Sequence, residues 1–225
     1  MSEVKSLLLL GPPGAGKSPF GQYLSRQKIK GRRFLNFDFG QELRQILEVR
    51  SEVGNIQSGG RRELQEHYDG QELNRIRQVV EKAILFEEPD RELVRKILGN
   101  FLNKINPSRE DLLVLNGFPR HPGQVSWLTG LARIVLAVNL DCPLEVSIRR
   151  IMANQDGERT GRPDDSPDVV SHRYKIYEDK TRPLIAWLER MGIPVINLSV
   201  NYMTGPEELL KKISSNEAFE LLFSD

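Results

Sequence analysis

Residues 11–18 read Gly11-Pro12-Pro13-Gly14-Ala15-Gly16-Lys17-Ser18, a complete match to the phosphate-loop pattern G-x-x-x-x-G-K-[ST], directly after the apolar run Leu7 to Leu10. A glycine-rich turn that leaves a buried strand and opens a helix aims successive backbone N–H groups and the positive end of the helix dipole at one point. That point suits a polyphosphate. Gly11, Gly14 and Gly16 let the backbone approach phosphate oxygens with no Cβ in the way. Lys17 brings a point charge to the β- and γ-phosphates, and Ser18 stands where the pattern places a hydroxyl facing Mg²⁺. Pro19 is tolerated in a first helical turn, where its missing N–H has no intrahelical partner. A plain glycine-rich turn at a strand end is the alternative, and the full pattern behind a strand argues against it.

The elements that must position this loop are short apolar runs alternating with longer amphipathic stretches. Leu7 to Leu10, Arg33 to Phe37, Asp111 to Leu115, Ile134 to Leu140 and Ile193 to Leu198 read as strands. Runs that are apolar throughout predict strands covered on both faces, hence a parallel sheet wrapped by helices with ligands at its carboxyl ends. The expected fold is α/β: a P-loop three-layer α/β/α domain with a five-stranded parallel sheet. The connection from about Phe39 to Arg109 carries helical spacing over Gln71 to Phe86 and Arg91 to Ile105, broken at Glu87-Glu88-Pro89-Asp90. Residues 51 to 70 look looser, and Asn154 to Pro167 are turn-forming and charged. One domain over 1–225 follows, with core segments 1–38, 106–153 and 168–225, a helical insertion over about 39–105 and a short lid over about 154–167.

The 225 residues suffice for a core that needs no disulfides, and a hydrophobic content of 39% with 28% charged residues is ordinary for a globular chain. A formal net charge of +1 gives no global pull toward nucleic acid or membrane, so neither is expected as a partner. The single cysteine, Cys142, reads as a small buried residue at a strand end. The start of the chain has no signal-peptide layout and no stretch reaches transmembrane length, which leads to the expectation of a cytoplasmic monomer. His67, His121 and His172 lack metal-ligand spacing.

Asn116-Gly117-Phe118-Pro119-Arg120 closes the third apolar strand, where the sheet would bring it beside the phosphate loop. With this second anchor the chain resembles the adenylate kinase family of nucleoside monophosphate kinases, whose loop is like GPPGAGK and whose strand-end motif is D-G-F-P-R. Gly40 to Arg44 resemble the family's S-x-G-D-x-x-R, Glu88 to Val94 its V-P-D-E-L-V, and Gly161-Arg162-Pro163-Asp164-Asp165 its lid end G-R-x-D-D. Arg173 and the run from Tyr177 through Thr181-Arg182-Pro183-Leu184-Ile185 match the helix that follows. Residues 45 to 86 and the tail beyond about 200 have no clear counterpart.

The resemblance implies transfer of the γ-phosphoryl of ATP to a nucleoside monophosphate (NMP), with Mg²⁺ accompanying ATP and the nucleotides as small-molecule partners. It implies ATP binding by Gly11, Pro12, Pro13, Gly14, Ala15, Gly16, Lys17, Ser18 and Arg150, and NMP binding by Phe39, Gly40, Arg44, Gly117, Arg120 and Gln124. The insertion becomes the NMP-binding lobe. Lys17, Arg120, Arg162 and Arg173 become the catalytic cations, with the arginine fork suited to bidentate phosphate contact. For each arginine taken alone, a solvated surface side chain is the usual fate. Asp164 and Asp165 either orient the lid arginines or cap the helix after Pro163.

The pattern breaks in three places. The strand-end aspartate that holds water on Mg²⁺ is Asn116, which supplies no charge, leaving Ser18 and Asn116 as the metal-side residues and predicting weaker metal binding. The acceptor-side threonine is Phe39, which either stacks on a base or blocks the adenine position; its neighbours Asp38 and Gln41 also differ from the family. The arginine expected four positions after Arg150 is Asn154, with Arg159 as a candidate stand-in. The sequence therefore leaves open an active kinase for AMP or a pyrimidine NMP and a catalytically impaired nucleotide-binding protein that acts by conformation or partner binding. The arginines and Gln124 favour the kinase.

Overall fold

A computed structural model of the chain describes residues 3–51, 67–154 and 166–224. Strands β1 (Val4–Leu10), β2 (Lys28–Ile29), β3 (Arg32–Asp38), β4 (Leu112–Asn116), β5 (Ala132–Asp141) and β6 (Val195–Ser199) form one sheet in the order β2-β3-β4-β1-β5-β6. All neighbours run parallel except β2, which pairs antiparallel with β3. The expected five-stranded parallel sheet is thus corrected to six strands. The extra strand is a two-residue hairpin arm turned at Lys30 and Gly31, whose φ angles of 50° and 80° give the two positive values a tight hairpin needs. Two residues are too few to show any hydrophobic period.

Leu7 to Leu10 of β1 are 0–2% exposed because both faces of the sheet are covered. Leu8 and Leu10 enter one apolar cluster with Phe37, Leu113 and Leu115, while Leu7 and Leu9 enter the other with Phe34, Leu112 and Val114. The second cluster is closed by α1 (Lys17–Ser25) through Phe20 and Leu24, and by the C-terminal α8 (Pro206–Ser214) through Leu209 and Ile213. The first is closed by α2 (Phe39–Ser51), α3 (Gly70–Lys82), α4 (Arg91–Ile105) and α7 (Arg182–Arg190). Two further helices, α5 (Leu144–Met152) and α6 (Pro167–Ile176), follow β5, and α6 runs through a π turn at Tyr177–Thr181 into α7.

The helix expected over Gln71 to Phe86 stops at Lys82, because Ala83 takes the left-handed conformation at φ 51°. At its start Asp69 and Glu72 form a reciprocal capping box. The helix expected from Arg91 to Ile105 is found with those bounds, entered from a 3₁₀ turn at Glu88–Asp90. Arg75 holds Asp90 through two bonds of 2.8 and 2.7 Å, tying α3 to that turn. Cys142 is fully buried directly after β5. Among the described residues no helix is long and apolar enough to cross a membrane.

Candidate functional site

The phosphate loop lies at the carboxyl end of β1, between β4 and β5, and its glycines are needed for steric reasons. Gly11 has φ 141° and passes so close to β5 that a Cβ would lie 2.7 Å from the Leu140 carbonyl oxygen. Gly16, at φ 92°, is the left-handed residue that turns the loop into α1. Lys17 folds back over the loop, its ammonium donating to the Gly11 and Pro12 carbonyls at 2.7 Å each. Two residues of α5 brace the outer side, where the Ser147 hydroxyl donates to the Pro13 carbonyl and Arg150 Nε to the Gly14 carbonyl at 2.9 Å. Arg150 is 3% exposed, and its Nη1 also donates to the Asn201 and Thr204 carbonyls at 2.9 Å. The structure therefore places Arg150 against the loop's backbone as a strut joining α5, the loop and the segment after β6. Its neighbour Arg149 stacks on Tyr202, 4.1 Å from the ring centroid.

At the ends of β3 and β4 the chain sets Asp38 directly beside Asn116, register partners in the sheet. Both are nearly buried, at 7% and 3% exposure. Asp38 Oδ2 accepts from Asn116 Nδ2 at 2.7 Å and from the Ser18 hydroxyl, and Asn116 Nδ2 also reaches Ser18 Oγ at 3.1 Å. Asp38 Oδ1 caps α2 by accepting from the Gln41 N–H at 3.0 Å. Arg44 approaches from the same helix: a Cβ on Gly40 would lie 3.4 Å from Arg44 Nη1 and 3.5 Å from Asp38 Oδ1. Sequence reasoning noticed Asp38 only as a change next to Phe39. Its contact with Asn116 depends on the pairing of two strands 78 positions apart in the chain.

Beyond β4 the chain turns through Gly117, at φ 83°, and a cis Phe118–Pro119 bond to Arg120. Burial pushes the Arg120 guanidinium down to about 10, and the charge of Arg173 on α6 pushes the same way. Two partly exposed cations close enough for one to lower the other's proton affinity make a site that favours an anion. Gln124, 2% exposed, accepts from the Arg120 N–H at 2.7 Å and donates to the Phe86 carbonyl at 2.8 Å. Phe39, 6% exposed, lies in an aromatic cluster with its ring 5.8 Å from Phe37, 5.5 Å from Phe86 and 5.4 Å from Phe118. Arg162, like Arg159, Asp164 and Asp165, lies outside the described residues.

The chain is 26% identical over 219 residues to the adenylate kinase of Prochlorococcus marinus strain MIT 9515, covering 93% of this chain and 99% of that protein. It is 27% identical over 218 residues to the adenylate kinase of Thermotoga maritima, covering 83% of this chain and 86% of the relative. Matches of this identity over most of both chains support an adenylate kinase family member. A shorter stretch of 85 residues is 35% identical to the adenylate kinase of Xylella fastidiosa strain M12, over 36% of this chain and 44% of the other. No family model matches the chain.

Members of the adenylate kinase family use ATP with Mg²⁺. The donor set at the loop fits that ion. Mg²⁺ takes oxygen ligands, keeps several waters and is held by one or two carboxylates together with substrate phosphates. Here the Ser18 hydroxyl and the Asp38 carboxylate meet beside the phosphate loop, with the Asn116 amide bonded to both. Among the described residues no group of three or more His, Cys, Asp or Glu forms a closed metal cage.

Proposed function

We propose that this chain transfers the γ-phosphoryl of ATP to the phosphate of a nucleoside monophosphate, yielding ADP and a nucleoside diphosphate. The observation that carries the reading is the arrangement at the carboxyl ends of the strands. A complete phosphate loop with Lys17 lies on β1, and Arg120, beyond β4, is near enough to Arg173 to feel its charge. An oxygen of the acceptor phosphate attacks the γ-phosphorus as its bond to the β-bridging oxygen breaks, and the electron pair leaves with ADP. Such a transfer demands positioning and cations far more than a base. Backbone N–H groups of residues 14–18 and Lys17 hold the β- and γ-phosphates. Arg120 and Arg44 take the acceptor phosphate, and Arg173, with Arg162, stabilises the charge spread over the transferring group. Ser18 and Asp38 would hold Mg²⁺, which would supply neutralisation of the charge on the ATP phosphates.

AMP is the acceptor best supported. The relatives are named adenylate kinases, and Gln124 retains a second amide hydrogen and a second carbonyl lone pair after its two backbone bonds, the pairing an adenine edge requires. A pyrimidine monophosphate is the second reading. It is favoured by Phe39, whose ring fills space with Phe86 and Phe118 on the acceptor side. A coupled assay of ADP formation with Mg²⁺-ATP and AMP, CMP, UMP or GMP in turn tests both. Turnover highest with AMP is expected, a preference for CMP or UMP selects the second reading, and no turnover with any acceptor from folded protein contradicts the function.

A further inference from the structure

The strand-end change that removes a carboxylate from β4 does not remove it from the locality. Asn116 carries no charge, yet Asp38 Oδ2 is bonded to its amide at 2.7 Å and to the hydroxyl of Ser18, the phosphate-loop residue that faces the metal in the sequence pattern. Since β3 and β4 are parallel neighbours in register, residues 38 and 116 end side by side. A carboxylate can therefore serve the same point from either strand. Among the described residues the hydrogen-bond partners of Asp38 are all neutral: Ser18, Asn116 and the Gln41 N–H. A carboxylate 7% exposed and satisfied only by neutral donors retains a strong preference for a cation at its remaining lone pairs.

We propose that Asp38, on β3, is the carboxylate that completes the Mg²⁺ shell at the phosphate loop, while Asn116, on β4, orients it. Charge and amide have exchanged strands. The proposal rests on the ATP-dependent reading above and adds a residue to it. It also revises the expectation that Ser18 and Asn116 are the metal-side residues: Ser18 and Asp38 act as a bonded pair. Direct ligation and ligation through one metal-bound water are both open to Asp38, because Mg²⁺ commonly keeps water between itself and a carboxylate.

Binding of Mn²⁺, as an Mg²⁺ substitute visible by electron paramagnetic resonance, to the protein–ATP complex without acceptor tests the assignment. ATP affinity in the presence of a chelator is measured alongside by calorimetry. Asp38→Asn and Asp38→Ser both remove the charge while leaving a residue able to cap α2. Each is expected to weaken Mn²⁺ binding at least about tenfold, with metal-free ATP affinity kept or raised because a negative charge near the phosphates is gone. The exchange variant Asp38→Asn/Asn116→Asp is expected to recover Mn²⁺ affinity to within about threefold. Unchanged Mn²⁺ affinity in either charge-free variant overturns the proposal. So does an equal loss of ATP affinity with and without metal, or failure of both variants to fold, since Asp38 then only builds the structure. Because no acceptor is present, a protein without turnover still answers this test. A protein that turns over AMP with Mn²⁺ affinity indifferent to Asp38 fails this proposal alone.

Discussion

In the proposed donor half, side chains clasp the main chain of the phosphate loop, whereas in the proposed acceptor half aromatic side chains pack on one another and Gln124 bridges two backbone groups. Around the phosphate loop, Lys17, Ser147 and Arg150 bond to the carbonyls of Gly11, Pro12, Pro13 and Gly14. Under the proposed function, backbone N–H groups of the loop meet the phosphate. On the acceptor side, Phe39 packs on Phe37, Phe86 and Phe118, and Gln124 spans from the Arg120 N–H to the Phe86 carbonyl. Backbone recognition requires particular φ angles and an absent Cβ at Gly11 and Gly16, so its sequence cannot drift. Side-chain recognition has many solutions, so under the proposed function a base pocket could be rebuilt around the same phosphate sites.

The comparison breaks first at Lys17. Lys17→Met should lower turnover about 1,000-fold, roughly 4 kcal/mol of transition-state stabilisation, with the fold intact by circular dichroism. It should also abolish most of the rise in melting temperature that Mg²⁺-ATP gives the wild type. Turnover within tenfold of wild type would remove the donor half from the account. Phe39→Ala is the corresponding test of the acceptor half. Loss of a ring that is 6% exposed should cost about 3 kcal/mol in urea unfolding, and the KM for the acceptor should shift while that for ATP stays within about twofold. Equal shifts in both KM values would mean that Phe39 serves the whole core and marks no division between the halves.

Arg120→Lys sharpens where the halves meet. It keeps the charge but loses the planar fork, and a fall in kcat of about 100-fold with unchanged ATP binding is expected. The smallest effect belongs to Gln124→Leu, which strands the Arg120 N–H and the Phe86 carbonyl and should lower stability by about 1–2 kcal/mol. The same variant should narrow the preference for AMP over CMP in kcat/KM. A stability loss with that preference intact would make Gln124 a structural tie with no part in reading the base.

What could be read from the sequence follows the same division. The phosphate loop was legible because its geometry demands glycine, lysine and serine at fixed spacing after an apolar strand. The parallel strands were legible from runs such as Leu7 to Leu10, which are apolar on both faces. The end of α3 was misread because Ala83, and no glycine, adopts the left-handed cap at φ 51°. Lys28–Ile29 was too short to show a pattern. Phe39 was left between stacking on a base and filling its place because its partners come from positions 37, 86 and 118, three segments that only folding gathers. The pairing of Asp38 with Asn116 was hidden for the same reason. An isolated Asn116 suggested a lost charge, and strand register shows the charge standing next to it.

The most direct test of the central claim is phosphorus NMR of ATP, AMP and Mg²⁺ incubated with catalytic amounts of the protein. The account predicts that ATP and AMP resonances decline together as the two ADP resonances grow, with no inorganic phosphate released. ATP hydrolysis to ADP and inorganic phosphate with AMP unchanged, or no change in any resonance with this acceptor or the other monophosphates, would contradict it.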